Sequence, residues 1–180
     1  AQDDARRADT LLFSGGEDLV PVLELSGGTW IPVVTVADGY EKRRYRPRVE
    51  AAFARIERWR ELSTGEVHWR VWSSGNVLSI LGATSQAKIS DPDHPQRVLS
   101  WLLEEQRDEV GNIVRYVYKQ EDLEGVDQNA PEERERLIAQ PQQAQRYLER
   151  VEYGNAAPFV AEDFAFEVRL DYGQLAEHGG

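Results

Sequence analysis

The sequence contains neither cysteine nor methionine. The absence of cysteine excludes disulfide bonds, thiolate metal ligands and a cysteine nucleophile. Because an initiator methionine is also absent, we expect the 180 residues to be a piece of a longer polypeptide. We therefore expect that their function belongs in part to that larger chain.

Long apolar runs and excess positive charge are absent as well. No stretch approaches the ~20 apolar residues that a membrane-spanning helix requires. The formal net charge is −11, whereas nucleic acids and anionic lipid surfaces attract basic proteins. The composition therefore predicts no nucleic-acid partner and no membrane contact by this fragment.

Motifs that carry chemistry are also missing. His68, His94 and His178 are far apart in the sequence and form no His-Glu-x-x-His metal site. The sequence has no Gly-x-Ser-x-Gly motif of a serine hydrolase and no Gly-rich phosphate-binding loop. We therefore predict that the chain is not an enzyme, with no catalytic, cofactor-binding or metal-binding residues, and that its histidines are solvated or packed.

Two acidic segments allow two interpretations each. Asp91, Asp93 and His94 share one proline-flanked loop, and Glu17 and Asp18 follow a pair of glycines. Carboxylates in such loops can bind calcium, but the spacing of a calcium loop is missing. We favour a rigid turn in which aspartate accepts hydrogen bonds from its own backbone.

Glu104, Glu105 and Asp108 have the composition of a glycosidase carboxylate set. Adjacent residues of a strand point to opposite faces, so the first two would not share a substrate. A solvated hairpin end is the favoured interpretation, and a hydrolase with dispersed carboxylates is the weakest hypothesis.

Four arginines, at positions 43, 44, 46 and 48, form the basic cluster of this acidic chain. We interpret them as partners of intramolecular ion pairs or as an interface patch, and not as a phosphate site.

The same sequence pattern occurs twice in residues 66–122. Each copy is an apolar run that begins with tryptophan, Trp69 or Trp101, followed by Gly-Asn and a second apolar run. Glycine and asparagine tolerate the positive φ of tight turns, and the runs are rich in residues that favour strands. The pattern predicts two β-hairpins, the second with a turn four residues longer.

Further strands are predicted around this pair. They cover residues 11–13, 19–25, 30–36, 146–153 and 164–170, with turns at 27–28, 38–39 and 154–155. Residues 45–60 fit both a helix and a strand, and we favour a strand over 53–60 because hairpins follow directly. Arg46-Pro47 disfavours a helix just before this segment. Strands at hairpin spacing predict an all-β, antiparallel fold.

The predicted organisation is one domain with polar additions. Residues 1–10 are a lead-in, 11–173 form a single β-domain, and 174–180 are a tail. A polar insertion at 121–145 contains at most one short helix, near 132–139.

The five tryptophans also have two interpretations. Trp69 and Trp72 fall on opposite faces of one strand, so at least one is covered by a second sheet or a neighbouring chain. Alternatively, exposed tryptophans such as Trp30 and Trp72 form the sugar-stacking platform of a carbohydrate-binding β-domain.

Several collinear blocks resemble a known family. The blocks are residues 12–22, 45–50, 53–59, 68–71, 89–92, 100–103, 111–118, 147–155 and 166–173. In the same order they resemble the amino-terminal region of the SpvB family of plasmid virulence proteins, which is shared with the B components of bacterial insecticidal toxin complexes. Residues 121–145 are where we expect members of this family to differ.

The resemblance implies a non-catalytic structural module of a secreted bacterial toxin. In toxin complexes this region is part of a β-sheet shell that encloses a cytotoxic cargo. The implied partner is an Rhs-type C component with tyrosine-aspartate repeats, or the rest of the same polypeptide. A pore-forming A component would be contacted through regions outside this sequence, and the ADP-ribosyltransferase domain of SpvB also lies outside it.

Overall fold

A computed structural model describes residues 11–13, 16–49, 54–120 and 144–172. Every regular element in these ranges is a β-strand, and every pairing between strands whose register is resolved is antiparallel. The predicted all-β, antiparallel fold is therefore confirmed. The chain divides into two compact units after Leu78, and each unit is described by itself.

The first unit contains eight strands. They are β1 (Leu11–Phe13), β2 (Glu17–Pro21), β3 (Leu23–Ser26), β4 (Thr29–Pro32), β5 (Val34–Ala37), β6 (Tyr40–Pro47), β7 (Arg55–Glu61) and β8 (Val67–Trp72). The strand order is β1-β2-β6-β7-β8, and β5 also pairs with β6. Because β7 pairs with β6 on one edge, β2 and β5 share the other edge of β6.

The hairpin β3–β4 leaves the sheet between β2 and β5. At this junction Val22 N–H donates to Arg44 O at 2.9 Å, and Arg44 N–H donates to Val33 O at 3.2 Å. These bonds anchor the base of the hairpin to β6. Its own strands pair only with each other within the described ranges, so the hairpin projects from the sheet.

The predicted turns at 27–28 and 38–39 are confirmed. Gly27 and Gly28 have φ of 56° and 81°, and Asp38 and Gly39 have φ of 56° and 81°. Positive φ at both central residues is the signature of a two-residue type I′ hairpin turn. The twist of a type I′ turn matches that of the flanking strands. Its need for positive φ explains why glycine and aspartate occupy these positions.

Of the ambiguous segment 45–60, residues 45–47 and 55–60 lie in strands. Tyr45 lies in β6, and β7 confirms the predicted strand with a shift of one residue at its end. In β7 the alternation places Ile56 on one face and Glu57 on the other. Both side chains are nearly fully buried, so each face of this central strand is covered.

The second unit contains the remaining seven strands. They are β9 (Leu78–Leu81), β10 (Lys88–Ser90), β11 (Val98–Trp101), β12 (Leu103–Arg107), β13 (Ile113–Gln120), β14 (Arg146–Tyr153) and β15 (Phe166–Arg169). The order in its main sheet is β9-β12-β13-β14-β15, and β10 pairs with β11 in a separate two-stranded sheet.

The second predicted hairpin is shorter than expected. Of the run that begins at Trp101, only the β12 part pairs with β13, whereas Trp101 belongs to β11 and lies opposite Lys88 of β10. The break occurs at Leu102, whose N–H donates to Ala87 O at 2.8 Å and whose carbonyl accepts from Gly82 N–H at 2.9 Å. A loop that packs against the strand therefore divides the run that the sequence pattern joined.

The remaining strand predictions have mixed outcomes. The predicted strand 146–153 coincides with β14, and β15 is shorter than the predicted 164–170. The helix predicted near 132–139, the lead-in 1–10 and the tail 174–180 lie outside the described residues. The single-domain boundaries stay a prediction.

Candidate functional site

The basic cluster lies along and beside β6, where the adjacent Arg43 and Arg44 point to opposite faces of the first unit's sheet, and Arg43 shares its face with Glu41. Glu41 accepts from both Arg43 Nε and Arg60 Nη2 at 2.8 Å, and Arg48 Nε lies 3.3 Å from Asp18 Oδ2. The predicted intramolecular ion pairs are therefore confirmed for Arg43 and Arg48. Glu17 and Asp18 lie in strand β2, so the self-capped turn favoured from the sequence is wrong for Asp18, whose carboxylate pairs with the Arg48 guanidinium.

Electrostatics on this face follow from these contacts. The hydrogen bond from Arg60 lowers the pKa of Glu41, burial opposes it, and Arg43 adds to the lowering. Desolvation lowers the pKa of the neighbouring Arg58 guanidinium. On this face the Glu41 carboxylate therefore holds two guanidiniums, those of Arg43 and Arg60, which is a structural role for charges in a sheet.

A cationic and aromatic cluster occupies the opposite face. The Trp59 ring lies between Lys42 Nζ, 4.1 Å from its centroid, and the Arg70 guanidinium, 3.7 Å from it. The indole N–H of Trp59 donates to the buried Glu57 carboxylate at 2.9 Å. Arg55 donates to the same carboxylate at 2.8 Å. Cation–π contacts and a satisfied carboxylate hold the three central strands together.

The histidines have structural surroundings where they are described. His68 is buried against the rings of Tyr40 and Trp59, with centroid distances of 5.6 and 5.7 Å. Its Nε2 accepts from Arg70 Nε at 3.2 Å. The packing interpretation is confirmed for His68, while His178 lies outside the described residues.

The loop with Asp91 is a capped turn. Asp91 Oδ1 accepts from the backbone N–H of Asp93 at 3.0 Å and of His94 at 3.3 Å. His94 Nδ1 lies 3.4 Å from Asp91 Oδ2. The turn interpretation is therefore confirmed, because the Asp91 carboxylate accepts hydrogen bonds from the backbone of its own loop.

The three predicted carboxylates have separate partners. Glu104 Oε2 accepts from Thr84 N–H at 2.9 Å, and Glu105 forms an ion pair with Arg107. Asp108 accepts from Asn112 Nδ2 at 2.6 Å. That bond lowers the pKa of Asp108, which burial opposes and backbone N–H groups reinforce. Each carboxylate is engaged in local structure.

A polar network of β12 and β13 was not anticipated from the sequence. Tyr116 donates to Gln106 Oε1 at 2.7 Å, and Gln106 Nε2 donates to Ser79 Oγ at 3.2 Å. Tyr118 donates to Leu103 O at 2.7 Å, and burial raises its pKa to about 12. The Tyr-x-Tyr spacing places both phenols on one face, but their partners come from elsewhere in the fold.

A hollow of about 520 Å³ borders this network. Its walls include Ile80, Thr84, Ala87, Glu104 and Tyr118. Of the carboxylates that face it, Glu104 accepts from Thr84 N–H and Glu105 pairs with Arg107.

The tryptophans differ widely in exposure. Trp69 is 5% exposed and packs edge-on against Tyr45 at 5.1 Å, whereas Trp30 is 65% exposed. Trp72 is half-buried, with the Arg55 guanidinium 4.7 Å from its ring. The prediction that Trp69 and Trp72 occupy opposite faces is confirmed by their cross-strand neighbours.

An exposed apolar stripe follows the projecting hairpin and β5. Cross-strand pairing puts Leu23 opposite Pro32 and Leu25 opposite Trp30, so these side chains share one face. Val34 and Val36 of β5, which follows the hairpin, are 40% and 64% exposed. We call Leu23, Leu25, Trp30, Pro32, Val34 and Val36 the hairpin stripe.

No group of three metal-ligating side chains lies together among the residues that the structure describes. The same residues include no helix long and apolar enough to span a membrane.

The family model of SpvB, the Salmonella virulence plasmid 65 kDa B protein, matches residues 2–179. Among curated proteins, the chain is 33% identical over 184 residues to mono(ADP-ribosyl)transferase SpvB of Salmonella typhimurium and to that of Salmonella dublin. Each alignment covers 93% of this chain and 30% of the relative. The chain thus spans less than a third of these relatives.

Solved structures agree with the sequence comparison. The N-terminal domain of SpvB from Salmonella typhimurium strain LT2 is 34% identical, with a TM-score of 0.71 over 86% of this chain and 49% of that one. The Photorhabdus luminescens Tc holotoxin pore contains a chain that is 32% identical, with a TM-score of 0.72. That match covers 94% of this chain and 8% of the holotoxin chain.

A family model that spans nearly the whole sequence, together with the same fold at about a third identity, shows the family. The blocks of residues that suggested the resemblance lie within the matched region. The chain belongs to the SpvB family.

Proposed function

We propose that this chain is a non-catalytic structural module of a secreted bacterial toxin or virulence protein. Its strands would form part of a β-sheet shell that encloses a toxic cargo. The work of such a module is burial and backbone pairing, which keep solvent and proteases away from the enclosed chain. No bond-making residue is needed for this role.

The observation that carries the proposal is the imbalance between buried and exposed apolar side chains. Within the described ranges, six hydrophobic residues are buried, whereas nineteen large hydrophobic residues are exposed. Scattered exposed apolar residues are ordinary, but proteins that function alone rarely expose an apolar patch such as the hairpin stripe. We infer that further protein covers these side chains in the complete assembly.

The hairpin stripe is the part of this surface best suited to a contact. Trp30 and Leu25 are 65% and 62% exposed, and they lie directly opposite each other on the hairpin. A large aromatic ring beside aliphatic side chains is typical of the centre of a protein interface. We therefore assign the hairpin stripe to contact with another part of the shell.

The comparisons with solved structures support a role in a toxin complex. The similar structures include one described as a TcdB2-TccC3-Cdc42 crystal structure and one described as a Tc holotoxin pore. By this likeness the proposed partner is an Rhs-type C component, or the rest of the same polypeptide. A pore-forming A component would be contacted by regions outside this sequence.

Co-expression of the intact parent protein with its Rhs-type partner tests the proposal. We expect a stable complex in size-exclusion chromatography, with the cargo segment resistant to added protease. The double variant Leu25→Ser with Trp30→Ser should weaken that protection. Leu99→Ser, at a position 77% exposed outside the hairpin stripe, is the matched control. Recovery of the intact proteins only as separate chains would contradict the shell function.

Carbohydrate binding is the second candidate, because Trp30 offers an exposed ring for sugar stacking. Trp72 is less suited, since Arg55 already covers its ring. Binding on a glycan array that disappears in Trp30→Ala would favour this function over the shell.

A further inference from the structure

Arg58 lies on the same face of the first unit's sheet as the ion pairs of Glu41. Cross-strand pairing sets Arg43 of β6 directly opposite Arg58 of β7, and Arg58 opposite Trp69 of β8. Glu41 lies opposite Arg60 in the next row of this face. On β6 and β7, three guanidiniums therefore share this face with one carboxylate.

The guanidinium of Arg58 is left out of these ion pairs. Glu41 Oε1 accepts from Arg43 Nε and Glu41 Oε2 from Arg60 Nη2, each at 2.8 Å. Arg58 forms no hydrogen bond or ion pair in the part of the chain that the structure describes. The side chain is half-buried. No fully buried side-chain nitrogen in the same part of the chain lacks a partner, so the Arg58 nitrogens still reach solvent.

This arrangement is unfavourable for Arg58 in the chain by itself. Burial lowers the pKa of its guanidinium, Tyr45 and Glu41 oppose the lowering, and Arg43 adds to it. Like charges directly opposite each other on neighbouring strands are destabilising, and desolvated charges in proteins are normally paired. A carboxylate between Arg43 and Arg58 would relieve both the desolvation and the repulsion.

Exposed apolar side chains continue this face onto β5. Val34 lies opposite Arg43, and Val36 lies opposite Glu41. The two valines are 40% and 64% exposed. A small free anion would leave them uncovered. A polypeptide segment that carries apolar side chains beside a carboxylate complements both the valines and the guanidiniums.

We propose that a segment of the Rhs-type partner chain docks on this face and places an aspartate or glutamate side chain between Arg43 and Arg58. Its neighbouring apolar side chains cover Val34 and Val36. The guanidinium fork suits a carboxylate because it can donate two parallel hydrogen bonds. The contact rests on the proposed shell function and adds the chemistry of the partner's segment to it. A second copy of this chain is a poor occupant, because two chains of net charge −11 repel each other.

Thermal unfolding of the 180-residue chain tests the unpaired state. Arg58→Met keeps the apolar stem and removes the charge, so the Tm should rise by about 2 °C or more. Arg60→Met removes a guanidinium that bonds to Glu41 and should lower the Tm. Arg44→Met makes the same change in net charge at an exposed position on the opposite face of β6. It should leave the Tm within about 1 °C of the wild type.

Affinity for the partner should change in the opposite sense. In the intact parent protein, Arg58→Met should weaken binding to the Rhs-type partner by about tenfold or more, measured by surface plasmon resonance. Arg58→Lys should give an intermediate affinity, because lysine keeps the charge but not the fork. Arg44→Met should bind as the wild type does. A variant that stabilises the free chain and weakens the complex identifies Arg58 as a docking residue.

Charge reversal identifies the carboxylate of the partner. Arg58→Glu should prevent binding of the wild-type partner, because two carboxylates then face each other. Single aspartates and glutamates of the partner are changed in turn to arginine. One of these partner variants should regain binding to Arg58→Glu and bind the wild-type parent weakly.

Several results would overturn this docking. A Tm lowered by Arg58→Met would show that Arg58 stabilises the chain itself. A complex that Arg58→Met leaves as tight as the wild type, or equal weakening by Arg44→Met, would refute the contact while leaving the shell function intact. Failure of every reversed partner variant to bind Arg58→Glu would show that the carboxylate does not come from the partner. A wild-type parent that forms no complex would overturn the shell function and this contact together.

Discussion

Two turns of this chain carry the same dipeptide and use it in opposite ways. At residues 75–76 the asparagine has the left-handed conformation, with φ of 57° at Asn76. At residues 111–112 the glycine has the left-handed conformation, with φ of 93° at Gly111. The other member of each pair has ordinary negative φ or extended backbone.

The surroundings explain the difference. The turn at Asn76 closes on itself, with Asn76 N–H donating to Ser73 O at 3.1 Å and Ser73 N–H to Val77 O at 3.0 Å. The turn at Gly111 is covered by a distant segment, because Phe159 N–H donates to Gly111 O at 2.9 Å. Glycine is required at the left-handed position where another backbone approaches closely. Where no backbone approaches, glycine or asparagine can take that position.

Gly111→Ala should have the largest effect. An added Cβ would lie 2.7 Å from Pro158 Cβ and 2.8 Å from Phe159 N, at a φ that alanine rarely adopts. The strain and the overlap together should lower the free energy of unfolding by about 3 kcal/mol. Urea unfolding monitored by tryptophan fluorescence measures this, and an unchanged midpoint would contradict the close packing.

Asn155→Ala should have the next largest effect. Asn155 Oδ1 accepts from Ile113 N–H at 2.8 Å, and its Nδ2 donates to Gly111 O at 3.0 Å and to Ala157 O at 2.6 Å. Loss of these bonds leaves a partly buried N–H without its acceptor and should cost about 2 kcal/mol. Asn155→Asp keeps the acceptor and should unfold at an intermediate urea concentration. Equal midpoints for the two variants would refute the bonding role.

The pH dependence should separate the two turns further. Asp108 bonds to Asn112, and the pKa of Asp108 is lowered in the folded protein. Its contribution to stability is therefore full above its unfolded pKa of about 3.9 and is lost as pH falls through the lower folded value. Unfolding midpoints between about pH 6 and pH 3 should fall more steeply for the wild type than for Asp108→Asn. Parallel curves would show that Asp108 does not titrate differently on folding.

Gly75→Ala should have the smallest effect and serves as the control for Gly111→Ala. Gly75 does not have positive φ, and an added Cβ would meet only Ser73 Oγ, at 3.8 Å. Removing glycine should stabilise the protein by about 0.5 kcal/mol through the unfolded chain. A clear loss of stability in thermal unfolding would mean that this turn is also constrained from outside.

Much of the local architecture could be predicted from residue types. Asp38-Gly39 and Gly27-Gly28 predict two-residue hairpin turns because few other pairs accept positive φ twice. The break at Leu102 could not be predicted, because it depends on Ala87 and Gly82 arriving from an earlier loop. The same holds for the bonds that join Tyr116 to Gln106 and Ser79, residues that are far apart in the sequence.

The sequence alone was enough to determine the antiparallel all-β class, the turn positions and the SpvB family, because all three depend on local order along the chain. The tertiary structure alone decided which tryptophans are buried and which glycine another backbone approaches closely. Alternation assigns a side chain to a face of its strand but does not specify what lies across from that face. Trp69 and Trp30 occur in similar apolar runs, yet only Trp69 has a second strand's tyrosine against its ring.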